Sequence, residues 1–440
     1  MNHTENTKVS LSKKSLASHT FITGSTGSGK SNTVYHMLDR ARKQGVKFLV
    51  VEPAKGEYKN VFGGRKDVTV LGTNPKLSQL LRINPFSFPE NIHVLEHMDR
   101  LVEIFNVCWP MYAAMPAVLK NAVEKSYVDC GWDIVKSENK YGEELYPSFA
   151  DVARNVKEII DSSEYDAENK GAYKGSLLTR LQSLCNGING MIFVADEIPK
   201  EQLFEENVIV DLSRVGSSET KSLIMGMMVL KLQEYRMSSA TGMNAELNHI
   251  TVLEEAHNLL RRTSNEQSAE GSNLLGKSVE MLSNAIAEMR TYGEGFIIAD
   301  QAPGLMDMSV IRNTNTKIIL RLPDQADREL VGRAANLNED QITELAKLPC
   351  GVAAVYQNEW IQPVLCKVDL FAAPEKPFMF DPDDNDLDNY CKTEVEESLL
   401  NCIMEKEILR RGNKTDLKAL KSKIIKSKLE TCVKRDFMEY

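Results

Sequence analysis

The spacing of hydrophobic residues near the start of the chain changes twice, from a strand pattern to a helical pattern and back. This predicts a strand, a helix and a second strand. Residues 20–23, Thr-Phe-Ile-Thr, form a short apolar-polar run of strand length. From residue 32 to residue 44 the apolar side chains recur at helical spacing, at Val34, Met37, Leu38 and Ala41. Gly45 ends this helix, and the apolar residues 47–51 that follow are typical of a buried strand.

Further apolar runs of strand length follow along the chain, separated by helical patterns. They lie at residues 68–71, 208–212, 250–253, 295–299 and 317–322. Because parallel neighbours need long crossover connections, this alternation predicts a mostly parallel sheet covered by helices on both faces. A last pair of runs, residues 351–356 and 360–368, flanks Gln357-Asn358-Glu359 and predicts a hairpin. The expected fold class is therefore α/β.

Two stretches depart from this alternation. Residues 91–205 carry helical periodicity without strong strand signals, which predicts a helical insertion. Beyond residue 374 the charge separates, with a net −7 over residues 381–410 and +5 over residues 411–440, as in an appended helical tail. We therefore expect the α/β core to be divided into a first part at residues 1–90 and a second part at residues 206–374. The helical insertion lies between them at residues 91–205, and the tail follows at residues 375–440.

Composition narrows the class of protein. The chain of 440 residues is 42% hydrophobic and 26% charged, an ordinary globular balance. Its eight cysteines show no paired spacing, so no zinc site or disulfide framework is indicated and a reducing, cytoplasmic location is expected. Residues 101–119, the most apolar long stretch, contain Glu103 and two prolines, so no membrane association is expected. The net charge of −9 argues against general coating of nucleic acid and allows a local basic channel.

Residues 24–31 read Gly-Ser-Thr-Gly-Ser-Gly-Lys-Ser, a complete G-x-x-x-x-G-K-[ST] P-loop between the first strand and the first helix. Glycines let backbone N–H groups curl around phosphates, Lys30 neutralises the β- and γ-phosphates, and the Ser31 hydroxyl can ligand Mg²⁺. The motif predicts binding of a nucleoside triphosphate, expected to be ATP, together with Mg²⁺. The expected nucleotide-binding residues are Gly24, Thr26, Gly27, Ser28, Gly29, Lys30, Ser31 and Asn32.

Hydrolysis requires acidic groups beside the P-loop, and residues 249–257, His-Ile-Thr-Val-Leu-Glu-Glu-Ala-His, supply two. Glu254 ends an apolar strand and is expected to hold Mg²⁺ with Ser31, while Glu255 is expected to polarise the attacking water. His257 is interpreted as a structural or supporting residue. The strand over residues 296–299 leads into Asp300-Gln301, which places Gln301 where an amide can sense the γ-phosphate.

These segments together resemble the HerA branch of the HerA/FtsK ATPases. The resemblance covers residues 8–370 and rests on residues 22–33, 52–58, 208–213, 253–257 and 299–301. It implies a RecA-like core with a helical insertion, a hexameric ring, and ATP-driven movement or holding of double-stranded DNA. The family often has Asp where Glu254 stands, a change that can alter the metal geometry. Its N-terminal β-barrel has no counterpart in the 23 residues before Gly24, so we expect a shortened variant or a barrel outside this chain.

The resemblance also implies that a neighbouring subunit completes each site with an arginine, because charge develops on the transferring phosphoryl oxygens. Residues 321–328 resemble the segment that carries this finger, so Arg328 is the first candidate and Arg290 the second. The basic-polar segments 214–221 and 261–264 are candidates for contact with DNA phosphates. Each of these residues can instead serve an ordinary structural or surface role.

Two other functions fit the same motifs. The first is an ATP-binding hexameric platform that recruits and activates an effector, with slow turnover and no motor role. The second is a conjugation or secretion pump ATPase that acts at a membrane. The partners that the resemblance implies are a NurA-type nuclease in DNA-end processing, or effectors such as nucleases and sirtuin-like NAD hydrolases in antiviral defence.

Overall fold

The structure, a computed structural model, describes residues 7–142, 144–240, 242, 244–262, 274–372, 376–382 and 414–439. The chain divides into two compact units. The first unit comprises residues 1–72, 104–110 and 199–380, and the second comprises residues 73–103, 111–198 and 381–440. Among the described residues, none of the helices combines the length and the apolar character needed to cross a bilayer.

The strands, in chain order, are β1 Thr20–Thr23, β2 Lys47–Glu52, β3 Val68–Gly72, β4 Gln79–Leu80, β5 Trp132–Asp133, β6 Glu138–Asn139, β7 Asn207–Asp211, β8 His249–Glu254, β9 Glu294–Asp300, β10 Thr316–Ile319, β11 Val352–Gln357 and β12 Val364–Lys367. The α-helices are α1 Lys13–Ala17, α2 Lys30–Lys43, α3 Tyr58–Phe62, α4 Val94–Cys108, α5 Met115–Asp129, α6 Phe149–Ser162, α7 Ala167–Tyr173, α8 Thr179–Cys185, α9 Asn189–Ile192, α10 Lys200–Phe204, α11 Ser218–Ser239, α12 Leu274–Glu288, α13 Met308–Arg312, α14 Gln325–Ala334, α15 Glu339–Glu344, α16 Lys414–Lys426 and α17 Thr431–Glu439. A π-helical turn, Lys174–Leu178, joins α7 to α8.

The first unit is built on one sheet. Its described strands lie in the order β12-β11-β10-β1-β9-β8-β2-β7-β3. All neighbours from β10 to β3 are parallel, while β11 and β12 add an antiparallel edge. This confirms the predicted α/β class with a mostly parallel sheet, and the antiparallel edge confirms the predicted hairpin. The central strands β1, β7, β8 and β9 are buried along their whole length, as expected for strands covered on both faces.

The ends of two elements differ from the prediction, for local reasons. Helix α2 begins at Lys30 rather than at residue 32, because Gly29 takes a left-handed conformation and serves as the N-cap. Strand β10 ends at Ile319 rather than at residue 322. Beyond it the carbonyl of Arg321 accepts a hydrogen bond from the Ser25 amide, 2.9 Å away, so the chain leaves the sheet to support the P-loop.

Helices α2 and α3 cover one face of the sheet and close its main hydrophobic core. Val34 and Leu38 of α2 are fully buried, as are Phe48 of β2 and Phe62 of α3. Phe371, which follows β12, packs against Tyr35, His36 and Phe62. In addition, its amide donates to the Asn32 side chain, 2.8 Å away, and ties this segment to the first turn of α2. The core therefore fixes the position of the helix that follows the P-loop.

The second unit is mainly helical. Helix α6 packs against α5 and α8, and Ser148 and Asp151 form a capping box at its start. The described part of the C-terminal tail belongs to this unit by its contacts. The Thr431 hydroxyl donates to the Asp151 carboxylate, 2.5 Å away, and Lys434 donates to the carbonyl of Ile425, 2.7 Å away. Residues 383–413, which carry most of the acidic part of the predicted tail, lie outside the described residues.

We predict that Leu38→Ala lowers the free energy of unfolding by about 2–5 kcal/mol, because it removes a fully buried side chain and leaves a cavity beneath α2. Ile361→Ala is the matched control, because that side chain is 90% exposed and its loss is expected to change stability by less than about 0.5 kcal/mol. Urea unfolding followed by circular dichroism measures both. Equal losses in the two variants would contradict this description of the core.

Candidate nucleotide-binding and hydrolysis site

The carboxyl ends of four adjacent strands lie at one level and bring the predicted motifs together. Thr23 of β1 is in register with Asp300 of β9, and Ala299 is in register with Glu254 of β8. On the other side of β8, Leu253 is in register with Val51 of β2. In parallel α/β sheets, ligands bind at this edge, where the connections leave the strands. The P-loop, the acidic pair and Gln301 therefore share one edge of the sheet.

The P-loop has the conformation and the free donors that an anion requires. Gly27 and Gly29 have φ angles of 74° and 104°, which favour glycine, and a Cβ atom at Gly29 would lie 3.2 Å from the backbone of Gly351. No side chain caps the start of α2. The buried Lys30 Nζ and Ser28 Oγ atoms have no hydrogen-bond partner among the described residues. A phosphate group would satisfy both, so these residues fit a bound nucleotide.

Lys30 lies among carboxylates. Its Nζ atom is 3.8 Å from the Oε1 atom of Glu255. Burial lowers the pKa of Lys30, and the nearby charges of Glu254, Glu255 and Asp300 oppose that shift. The side chain thus retains carboxylate neighbours that favour its charged form while its own donor positions stay available for phosphate.

The acidic pair occupies two different environments. Glu254 is buried, and its Oε1 atom accepts a hydrogen bond from the Tyr58 hydroxyl. Burial raises the pKa of Glu254, while the Tyr58 hydrogen bond and the charge of Lys30 oppose that shift. Glu255 follows in a left-handed conformation, with a φ angle of 47°, which is costly for a residue with a Cβ atom. This strained turn directs the two successive carboxylates into the same site.

Gln301 links the P-loop to the second acid. The Thr26 hydroxyl donates to the Gln301 Oε1 atom, 2.6 Å away. The Nε2 atom of the same amide donates to the Glu255 Oε1 atom. One side chain therefore touches both the loop that would hold the phosphates and the carboxylate expected to polarise water.

Asp300, to which sequence reasoning assigned no role, forms a hydrogen-bonded bracket with His257, the residue interpreted from the sequence as structural or supporting. The Asp300 Oδ2 atom accepts from the backbone amide and the Nδ1 atom of His257, both at 2.8 Å, and Oδ1 accepts from the Ala302 amide at the same distance. The ligand atoms of Glu255, His257 and Asp300 lie within 4.8 Å of one another, close enough to hold a cation. Because both Asp300 oxygens already bind backbone amides, the bracket fits a structural role better. Its signal in the sequence was the position of Asp300 directly before Gln301.

Glu52 and Tyr58 form a second support that the sequence did not assign. The Glu52 carboxylate accepts from the backbone amides of Glu57 and Tyr58, at 2.7 and 3.2 Å. Burial raises the pKa of Glu52 to about 8. The aromatic ring of Tyr58 is itself buried, and its hydroxyl fixes Glu254. The predicted metal ligands, Ser31 and Glu254, offer the oxygen atoms that Mg²⁺ prefers, so this part of the site fits that ion.

The structure does not bring the two candidate arginines to the P-loop of their own chain. Arg328 donates from its Nη1 atom to the carbonyls of Leu322, at 3.2 Å, and Pro323, which occupies part of its guanidinium. Arg290 is exposed in the turn Met289–Tyr292, which leads into the amino end of β9. It lies at the edge opposite the P-loop, about 20 Å away along a strand of this length. A role in a neighbouring subunit's site stays a prediction for both.

The candidate DNA-contacting segments leave strands at the same edge as the P-loop. Residues 214–217 lie between β7 and α11, and Arg214 is exposed there. Arg261 and Arg262 are also exposed and follow β8 and the short turn Ala256–Asn258. Residues 263–264 lie outside the described residues.

Comparison with known proteins identifies the family. The model for the family described as "Helicase HerA, central domain" matches residues 1–232, more than half of the chain. The chain belongs to the HerA family. The DNA double-strand break repair helicase HerA of Sulfolobus acidocaldarius is 24% identical over 380 residues, covering 83% of this chain and 68% of that protein. The probable helicase MJECL08 of Methanocaldococcus jannaschii is 22% identical over 395 residues, covering 82% and 68%.

Solved structures support the same fold. VirB4 of Thermoanaerobacter pseudethanolicus superposes with a TM-score of 0.57 at 17% identity, covering 81% of this chain and 90% of that one. The plasmid coupling protein TrwB in complex with ADP and Mg²⁺ gives 0.57 at 12% identity, covering 83% and 89%. These likenesses concern the fold alone. Together, the HerA family and the P-loop site make the chain a P-loop ATPase that uses ATP and Mg²⁺, as predicted.

The bracket predicts a pH dependence of stability. The hydrogen bond to Asp300 raises the pKa of His257 above its ordinary value near 6.5. The charged pair therefore stabilises the fold fully below about pH 6.5, and this contribution is lost as the pH rises through the folded-state pKa. We expect His257→Gln to lower the urea midpoint more at about pH 6 than at about pH 9. A larger loss at the higher pH would contradict this assignment.

Proposed function

We propose that this HerA-family chain hydrolyses ATP to move or hold double-stranded DNA, as a ring of identical subunits that is expected to be a hexamer. The observation that carries the hydrolysis is the continuous contact from Thr26 through Gln301 to Glu255, beside a buried Lys30 that lacks a hydrogen-bond partner among the described residues. DNA as the substrate is supported by the relatives whose names describe DNA double-strand break repair helicases.

Each residue has a distinct task in the proposed reaction. Glu255 orients a water molecule and takes its proton as the oxygen bonds to the γ-phosphorus, and ADP leaves with the electron pair of the broken bridging bond. Lys30 neutralises the negative charge of the β- and γ-phosphate oxygens. The Gln301 amide senses the phosphates and is hydrogen-bonded to Glu255, so it couples phosphate binding to the position of that carboxylate. Mg²⁺, held by Ser31 and Glu254, would supply further neutralisation of the phosphate charge.

The proposed DNA contact is local and electrostatic. The chain carries a net charge of −9, so a general attraction to DNA is not expected. The exposed arginines Arg214, Arg261 and Arg262 leave the sheet at the same edge as the P-loop, which would let changes at the nucleotide move them. In a ring these segments would face the central pore. Arg328 or Arg290 would be the arginine that completes the ATP site of the neighbouring subunit.

The biological partner is a finer proposal. On the basis of the family resemblance, the proposed partner is a NurA-type nuclease or a sirtuin-like effector. Antiviral defence is the proposed setting for such an effector. The alternative is an ATP-binding platform that activates such an effector without moving DNA. A rate of ATP hydrolysis that rises with DNA is expected of the motor and not of the platform. Measuring ATP hydrolysis with and without DNA therefore distinguishes the two functions.

We predict that long linear duplex DNA at low salt stimulates ATP hydrolysis by the chain. Glu255→Gln is expected to slow single-turnover hydrolysis by about 10²–10⁴-fold with nucleotide binding retained, because the water loses its base. Lys30→Ala should lose nucleotide binding as well as hydrolysis. Glu359→Gln is the matched control, since that side chain is exposed in the turn between β11 and β12. Slow turnover that DNA does not change would favour the platform, and normal hydrolysis by Glu255→Gln would refute the assigned base.

We also predict that DNA affinity, measured with a non-hydrolysable ATP analogue, falls steeply as the salt concentration rises and shows little sequence preference. Arg214→Ala should reduce the slope of log affinity against log salt by about 1, because one phosphate contact is lost. Arg40→Ala on the exposed side of α2 is the control, with an unchanged slope. Binding that tolerates high salt would argue against phosphate contacts.

A further inference from the structure

Tyr58, at the start of α3, brings an apolar ring and a polar tip into an enclosed position. The residue is 1% exposed, and its hydroxyl donates a hydrogen bond to the Oε1 atom of Glu254. A phenylalanine ring would fill the same space without a polar group that needs a partner inside the protein. Packing therefore accounts for the ring, and the hydroxyl is explained by its contact with Glu254.

The ring of Tyr58 is held in place from two directions. Tyr58 and Phe62 lie one turn apart on α3, and both rings meet Tyr35 edge to face, with centroids 5.0 and 6.0 Å away and interplanar angles of 83° and 79°. Aromatic pairs prefer this arrangement. On the backbone side, the Glu52 carboxylate accepts from the Tyr58 amide, 3.2 Å away. The hydroxyl is therefore carried by a side chain with little freedom to move.

The partner ring, Tyr35, belongs to the helix that follows the P-loop. Tyr35 stands four residues after Ser31 on α2, and residues with this spacing lie on the same face of a helix. Tyr58 therefore contacts this face of α2 through its ring, and the end of β8 through its hydroxyl. Ser31 and Glu254, the two residues expected to hold Mg²⁺, stand on the two elements that this one side chain joins.

Such a contact matters because of what Mg²⁺ requires. The ion demands a near-ideal octahedral arrangement of oxygen atoms, so a small displacement of one ligand weakens its binding. The last torsion of a glutamate side chain has a broad range, which leaves the carboxylate poorly oriented unless another group holds it. In metal sites, groups that hydrogen-bond to a ligand orient it and affect the metal affinity. Tyr58 supplies such a bond to one oxygen of Glu254.

We propose that Tyr58 is a positioning residue whose hydroxyl sets the Glu254 carboxylate relative to Ser31 and so determines how tightly the nucleotide complex holds Mg²⁺. This role rests on the proposed ATP hydrolysis and adds to it a residue outside the P-loop and the acidic pair. Tyr58 acts only through Glu254 and takes no part in proton transfer. Loss of its hydroxyl should therefore change the response to Mg²⁺ and leave binding of the metal-free nucleotide unchanged.

The test removes the hydroxyl and keeps the ring. Tyr58→Phe does this, and Glu254→Gln, alone and combined with Tyr58→Phe, shows whether the effect passes through that carboxylate. Tyr127→Phe is the matched control, because Tyr127 is fully buried in the second unit and donates to the Phe86 carbonyl, 2.5 Å away. The affinity for a non-hydrolysable ATP analogue is measured for each chain with Mg²⁺ and with a chelator instead. The ratio of the two affinities reports how much more tightly Mg²⁺ binds in the site than on the free analogue.

We expect Tyr58→Phe to lower this ratio by about 10-fold or more, the usual loss when a group that orients a metal ligand is removed. Its affinity for the analogue in chelator should stay within about 2-fold of the unmodified chain, which also shows that the variant has folded. Single-turnover hydrolysis should slow at limiting Mg²⁺ and recover as the Mg²⁺ concentration is raised. In the Glu254→Gln background, Tyr58→Phe should have no further effect, and Tyr127→Phe should match the unmodified chain.

Two results would overturn the role of Tyr58. The first is an unchanged ratio in Tyr58→Phe, with or without an equal loss of affinity in both conditions, because the hydroxyl would then serve packing alone. The second is a loss in the Glu254→Gln background as large as in the unmodified chain, because the effect would then not pass through Glu254. Absence of nucleotide binding and hydrolysis in the unmodified chain would instead overturn the proposed function.

Discussion

The account depends on one geometric constraint, the common level at which adjacent parallel strands end. The register of β1, β9 and β8 sets Thr23 beside Asp300 and Ala299 beside Glu254. The residues that follow, in the P-loop, at Gln301 and at Glu255, are then close enough for the two hydrogen bonds of the Gln301 amide. Parallel strands fix this level more firmly than loops can, because a slip of one residue would turn every buried side chain to the other face.

Electrostatics explains why this edge favours a nucleotide. A buried lysine, an acid pair and further carboxylates lie together, and burial opposes the charge on Lys30 and on Glu254. Their mutual attraction offsets part of that cost, but the Lys30 donor still lacks a hydrogen-bond acceptor among the described residues. A phosphate provides the acceptor. The strained backbone at Glu255 fits a site held ready for a ligand rather than relaxed around itself.

Local sequence patterns sufficed for the elements and motifs that depend on neighbouring residues. The periodicity of residues 20–51 predicted β1, α2 and β2, and the hairpin after residue 350 was confirmed, since period and turn chemistry are local signals. The pattern could not predict that Tyr58 would fix Glu254, or that Asp300 would hold His257, because those contacts join residues 196 and 43 positions apart. The early end of β10 has a similar cause, since the Arg321 carbonyl accepts a hydrogen bond from the distant Ser25 amide.

The most direct test of the central claim is an experimental structure of the chain with Mg²⁺ and a non-hydrolysable ATP analogue. The account predicts the β- and γ-phosphates in the P-loop, the γ-phosphate within hydrogen-bonding distance of Lys30 Nζ, and Gln301 between that phosphate and Glu255. The metal should contact Ser31 and lie beside Glu254. A nucleotide bound away from residues 24–31, or a filled P-loop with Gln301 and Glu255 turned away from the γ-phosphate, would contradict it.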